Sequence, residues 1–166
     1  MAGAGGDNRR AEMTRLGLMG LVPFLFGAAA VWIAPLFPGG DIFARTMHSM
    51  VLAYGGIIAA YMAGVGAGGL LVGGRADNEP LLPGMIVALV VWVAVWGNLP
   101  FTLVIPGAWR HGLVLVALIY LLLRDLRAVD AGNLPSWYGA LRIRLTFWAG
   151  LLITAVILRL ILWSNY

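Results

Sequence analysis

The stretch Met50–Gly74, MVLAYGGIIAAYMAGVGAGGLLVGG, decides the fold of this chain. Small residues recur in it every four positions and form what we call the small-residue stripe: Gly56, Ala60, Gly64 and Gly68. Small residues at this spacing let a second helix approach closely within a membrane. So much glycine would weaken a helix in water by about 1 kcal/mol per residue, whereas lipid forces the backbone to pair internally. The stretch is therefore predicted to be the central packing helix of a membrane bundle.

The composition places the whole chain in a bilayer. Of its 166 residues, 61% are hydrophobic and 11% are charged, and the mean hydropathy is +0.91. Soluble domains carry roughly 25% charged residues. The sequence has no cysteine, which excludes disulfides, thiolate metal sites and iron–sulfur ligation. The formal charge of +4 is modest, and no basic face for nucleic acid is indicated.

The hydropathy pattern predicts an all-α, polytopic transmembrane bundle of five spans. A glycine-rich, charged tail covers residues 1–15, and the membrane domain covers 16–166. Pro23 is expected to kink the first span, and Pro38–Asp41 marks a turn before the second. The first span resembles a signal peptide, but we expect it to be retained. The predicted spans are 16–34, 50–73, 82–97, 106–123 and 143–163.

Arginine placement predicts the orientation of these spans, because cytoplasmic loops are enriched in basic residues. With five spans, the tail and the second and fourth loops lie on one side and hold eight arginines, against three on the other side. We therefore expect a cytoplasmic amino end and a carboxyl end outside. The expected location is a bacterial inner membrane or a membrane derived from one.

Three motifs follow one another along the chain. The first is Leu16–Phe24, LGLMGLVPF, and the second is Tyr54–Ile58, YGGII, continuing to Gly64. The closing motif is Trp137-Tyr138 followed by Leu141-Arg142 and Leu145-Thr146. In this order the motifs resemble a family of small bacterial inner-membrane proteins of unknown function that has a mitochondrial transmembrane relative. One departure is that Val65–Gly68 lacks the Trp-Gly pair that tends to end the family's second span. The resemblance implies a topology and supplies no mechanism.

His48 and His111 are the only histidines and start predicted spans on the outer side. A bis-histidine haem is one hypothesis, with the neighbouring Arg45 and Arg110 taking the propionates. The favoured interpretation is two interfacial histidines with solvated tips. No cofactor and no metal are therefore expected.

Four other residues are predicted to contact lipid or its headgroups. Arg110 and Arg159 are expected to extend to the outer interface, although an anionic substrate site is an alternative. Trp137 and Tyr138 are expected to anchor the interface. Arg124–Arg127, RDLR, is interpreted as the cytoplasmic end of the fourth span, with a docking motif as the alternative.

The sequence argues against an enzyme and against proton-coupled transport. No Asp or Glu lies inside a predicted span, although proton-coupled transporters need an intramembrane relay. No second half repeats the first, as inverted-repeat transporters require. The expected function is a non-enzymatic accessory, structural or assembly subunit of a larger respiratory or photosynthetic membrane complex. Its expected partners are membrane lipids and other integral membrane subunits. The small-residue stripe is interpreted either as an internal packing face or as the face on which such a subunit docks. The alternative is a small oligomeric channel or transporter for a small molecule or lipid.

Overall fold

The computed structural model describes residues 3–72, 82–96 and 105–163, and these form an all-α protein. A short 3-10 turn, Ala34–Leu36, follows the second helix. The predicted link at 75–80 and the predicted turn at 97–100 lie outside the described residues. The helices are α1 (Gly3–Met19), α2 (Val22–Ile33), α3 (Gly40–Val72), α4 (Leu82–Trp96), α5 (Gly107–Asp130) and α6 (Ser136–Leu162).

The kink expected at Pro23 takes the form of a break between α1 and α2 at residues 20–21. Pro23 lies in the first turn of α2, where its missing N–H has no helical partner to lose. The Tyr54 hydroxyl of α3 donates a hydrogen bond of 3.0 Å to the Gly20 carbonyl. The break is therefore stabilised from the neighbouring helix.

Two predicted loops are shorter than the charge pattern suggested. The second span was expected to begin at 50, but α3 begins at Gly40, directly after Gly39 reverses the chain with a φ of 75°. The long loop expected from 124 to 141 is reduced to residues 131–135, because α5 and α6 continue through their charged ends. Charge does not end these helices, since Asp125 and Arg142 pair with each other across the turn.

The core lies where α3 packs against α2, α4 and α5, while α6 covers α5 and α2. Its largest fully buried side chains include Phe24, Leu52, Leu121 and Ile153. The central position predicted for the second span agrees with this packing.

Three helical stretches are long and apolar enough to cross a membrane: Arg10–Leu36, Gly40–Gly68 and Ser136–Leu162. Leu82–Trp96 is apolar but shorter. Many large apolar side chains face outward, including Ile57, Leu89 and Phe147. These features are those of a membrane protein, while five spans and the orientation of the ends stay predictions.

Candidate functional site

A cavity of about 750 Å³ lies between α1, α2, α3, α5 and α6. This volume falls within the roughly 300–1,000 Å³ typical of small-molecule sites. One end is apolar and includes Phe24, Leu118 and Ala149. The other end lies at the α5–α6 turn and includes Arg124, Asp125, Trp137, Tyr138 and Arg142. We call these five residues the polar end of the cavity.

A buried ion pair forms the base of the polar end. Arg142 Nε of α6 donates to Asp125 Oδ2 of α5 at 2.6 Å, and the two side chains are 6% and 11% exposed. Two features place them opposite each other. Gly132, with a φ of 74°, closes the α5–α6 turn, and Gly139 lets α6 approach Leu126 and Val129 of α5. A buried pair of charges adds stability only when its remaining donors and acceptors are also satisfied.

That condition is not met within the protein for Arg142. Its Nη2 is buried, and no hydrogen-bond partner for it exists among the residues that the structure describes. A buried donor left without an acceptor costs about 1–3 kcal/mol, and more when it is charged. Arg142 lines the cavity, so an unsatisfied cationic donor lies buried next to the cavity wall.

Two further side chains complete the polar end. The Arg124 guanidinium lies in a space left by two glycines, Gly66 of α3 and Gly84 of α4. A methyl group on Gly84 would lie 3.2 Å from Arg124 Nη1. Tyr138, one turn before Arg142, interacts with the Asp125 carboxylate. Arg124, Asp125 and Arg142 thus lie at the same end of the cavity.

These residues differ from what the sequence predicted. Arg124–Arg127 was expected to be the exposed cytoplasmic end of a span, but Asp125 is buried. Trp137 and Tyr138, expected as interface anchors, are half-buried and line the cavity. The helical register of Asp125 and Arg142 could have predicted that both are buried. Asp125 continues the buried face of α5 formed by Leu118 and Leu121, and Arg142 continues the buried face of α6.

The small-residue stripe divides into two halves. A methyl group on Gly56 would lie 2.6 Å from Val95 Cγ2, so Gly56 marks the crossing with α4. Ala60 is half-buried and packs against the core. Among the described residues, no atom lies within 4 Å of a methyl group placed on Gly64 or Gly68. The four residues therefore do not share one neighbour among the described residues: α4, which begins at Leu82, meets α3 as far as Ala63.

The two histidines lie together at the other end of the bundle, with ring centroids 5.8 Å apart. His111 is 1% exposed, so the interpretation of a solvated tip is wrong for it. Its Nδ1 lies 2.8 Å from the Gly107 carbonyl and its Nε2 lies 3.1 Å from the His48 carbonyl. Because both nitrogens face backbone oxygens, neither is directed at a position where a haem iron could bind. We call His48, His111 and the adjacent Arg110 the histidine end.

The two arginines expected to reach lipid headgroups contact the protein instead. Arg110 Nε donates to the Ala94 carbonyl at 2.6 Å, and its Nη2 donates to Val95. These carbonyls belong to the last turn of α4, where backbone acceptors lack helical partners. The half-buried Arg110 therefore caps a neighbouring helix.

Arg159 differs most from its expectation, since it is 2% exposed. Its Nε donates to the Val31 carbonyl at 3.2 Å. The guanidinium also lies over the ring of Trp163, at 2.9 Å from the centroid, and 5.5 Å from that of Trp32. Backbone and aromatic contacts replace the aqueous interface, so the predicted extension of Arg159 to lipid is wrong.

Comparison with known proteins identifies a family but no activity. The model of a family described as protein of unknown function, DUF3429, matches residues 9–158. The chain therefore belongs to this family, which confirms the resemblance to a family of unknown function. No curated protein and no solved structure matches the chain.

Proposed function

We propose that this member of the DUF3429 family is a non-enzymatic integral membrane protein that serves as an accessory, structural or assembly subunit of a larger membrane complex. Respiratory and photosynthetic complexes are the proposed hosts, and a bacterial inner membrane or its derivative is the proposed location. The proposed partners are membrane lipids and other integral membrane subunits. The observation that carries the proposal is the outward half of the small-residue stripe.

Gly64 and Gly68 lie on a face of α3 that meets none of the described helices within 4 Å. Tyr61 and Val65 beside them are exposed. A partner helix could approach this face closely, because small residues permit backbone contact in lipid. The face supports association with another membrane-embedded helix.

The interior also supports a structural role. Arg110 and Arg159 donate to backbone carbonyls of neighbouring helices. Trp32 of α2 likewise donates to the Ala155 carbonyl of α6. These contacts hold helices together and assemble no nucleophile with a base. No resident cofactor is proposed.

The alternative function is a small oligomeric channel or transporter for a small molecule or lipid. The observation that favours it is the cavity, since a binding site between helices is a feature of transporters. Mild-detergent purification distinguishes the two functions. An accessory subunit should co-purify with other integral membrane proteins in fixed proportion, whereas a transporter should be recovered as a homo-oligomer.

A substitution series tests the docking face. Gly64→Leu should leave a folded monomer, because the structure has open space at this position, but should prevent recovery of the complex. Gly56→Leu should lower the yield of folded monomer, since overpacking against Val95 costs about 1–3 kcal/mol. Gly112→Leu is the matched control, because Gly112 of α5 also has open space around it. If Gly64→Leu leaves the complex intact, or Gly112→Leu disrupts it equally, α3 is not the docking face.

A further inference from the structure

We propose that the polar end of the cavity binds the headgroup of an anionic phospholipid carrying one phosphodiester charge, with its acyl chains along the apolar wall. This inference goes beyond the accessory role and does not depend on it. It rests on the unpartnered donor of Arg142, the charge balance of the polar end and the direction in which the cavity becomes apolar.

Arg142 supplies the anchoring donor. The Asp125 carboxylate fixes its Nε at 2.6 Å, which holds the planar guanidinium in one orientation. The buried Nη2 remains without a partner among the described residues. Guanidinium groups bind phosphate oxygens through directed, charge-assisted hydrogen bonds. Because Nη2 is buried, a phosphodiester oxygen entering from the cavity would accept from it after the side chains that cover it shift.

The charge balance selects the headgroup. Arg124 and Arg142 contribute two positive charges to the polar end and Asp125 contributes one negative charge, a sum of +1. One phosphodiester neutralises this sum without an added cation. A phosphocholine headgroup carries a second, positive group, which cancels its own phosphate charge and leaves the +1 of the polar end unbalanced. Phosphatidylcholine is therefore the comparison that decides the proposal.

The apolar wall continues inward from the donor. Ala149 of α6 lies seven residues after Arg142, which places it about 10 Å further along the helix axis. Leu118 and Phe24 meet it at this depth and belong to the core. Acyl methylene groups in contact with this wall would be shielded from polar groups. A ligand that fits both ends is amphiphilic, with its charge at the α5–α6 turn.

Native mass spectrometry of the purified full chain tests the proposal. The protein is mixed with equal amounts of dioleoylphosphatidylglycerol and dioleoylphosphatidylcholine in the same detergent. The wild type should retain one phosphatidylglycerol in preference to phosphatidylcholine. Arg142→Gln should weaken phosphatidylglycerol binding roughly tenfold or more, since a hydrogen bond to a charged group contributes at least that factor.

Two further variants keep the result interpretable if Arg142→Gln fails to fold. Arg124→Gln leaves the ion pair intact, and Arg142→Gln with Asp125→Asn removes both charges together. Arg124→Gln lowers the summed charge to zero and should lose the preference for phosphatidylglycerol. The double variant keeps the sum at +1 but lacks the Arg142 donor, so it should bind phosphatidylglycerol roughly tenfold more weakly than the wild type. Arg144→Gln is the matched control, because Arg144 is an exposed arginine on the same helix that does not line the cavity. It should bind like the wild type.

Three outcomes would overturn the proposal. Equal retention of the two lipids would mean that the charge balance does not select the headgroup. Equal loss in Arg144→Gln and Arg142→Gln would place the lipid on the outer surface. Displacement of the bound lipid by millimolar inorganic phosphate would assign the site to a free anion rather than to an amphiphile.

Discussion

The polar end of the cavity and the histidine end both bury cationic or polar side chains, but they satisfy them differently. At the histidine end, His111 lies against the carbonyls of Gly107 and His48, and Arg110 donates to Ala94. His48 Nδ1 is buried there without a partner among the described residues, but His48 does not line the cavity. At the polar end, Arg142 pairs with another side chain and keeps a buried donor beside a cavity of about 750 Å³.

The difference shows how a structural polar cluster can be distinguished from a candidate site in a membrane bundle. Backbone carbonyls of the protein itself serve as acceptors for His111 and Arg110, so no ligand is needed there. These contacts connect α5 with its neighbouring helices. An ion pair with a remaining donor and an adjacent space provides an incomplete set of hydrogen bonds. The second arrangement is the one that a ligand can complete.

The largest expected effect comes from breaking the ion pair. Arg142→Met should destabilise the protein by about 3–5 kcal/mol, because it leaves the Asp125 carboxylate buried without its partner. The measurement is the thermal unfolding midpoint of the purified protein in one detergent, together with the yield of folded protein.

The double variant Arg142→Met with Asp125→Leu separates charge from packing. Because replacing both members of a buried pair by apolar residues is often neutral or stabilising, this variant should recover most of the lost stability. A double variant as unstable as Arg142→Met would show that the shape of the pair, rather than its charge balance, holds α5 against α6.

A smaller effect is expected at the histidine end. His111→Leu keeps similar volume and removes two contacts to carbonyls that already lie within helices, so it should cost about 0.5–1.5 kcal/mol. Thermal unfolding in the same detergent compares it directly with Arg142→Met.

The purified wild type should also show no Soret band, and His48→Ala should leave its spectrum unchanged. A cost equal to that of Arg142→Met, or a haem band that disappears in His48→Ala, would make the histidine end the functional one.

The sequence predicted the helices better than it predicted their polar contacts. The apolar runs identified an all-α membrane bundle, and small residues placed α3 at its centre. The ends of α3, α5 and α6 were misplaced because charge was interpreted as exposure. Asp125, Arg142 and Arg159 are charged and buried, since partners from distant parts of the chain replace water. Val31 lies 128 residues from Arg159, and no local pattern indicates such a partner.

The small-residue stripe shows the same limit. Four-residue spacing indicated a face that permits close approach, and Gly56 does lie near Val95. The spacing could not indicate which of the four residues meet α4, because that depends on how α4 packs against both α3 and α5. The row that includes Gly55, Ala59 and Ala63 is the more deeply buried one.

The polar end of the cavity and the histidine end are expected to face opposite sides of the membrane. The cysteine substitutions that test this should change stability least. Leu36 is 75% exposed before α3, and Ala131 is exposed in the α5–α6 turn. These two positions are better sites for substitution than the nearby Gly39 and Gly132, because both glycines have a positive φ, at which a side chain would be strained. Because the chain has no cysteine of its own, Leu36→Cys and Ala131→Cys can each be labelled without background.

Between these positions the chain passes through α3, α4 and α5. Three crossings place the positions on opposite sides, so an impermeant reagent should label Leu36→Cys from outside and Ala131→Cys only from the cytoplasm. Of these helices, only α3 contains one of the three long apolar stretches. The 15 residues of α4 extend about 22 Å against a hydrocarbon core of roughly 30 Å. Labelling of both positions from one side would mean that either α4 or α5 does not cross. The polar end of the cavity and the histidine end could then no longer be assigned to opposite faces.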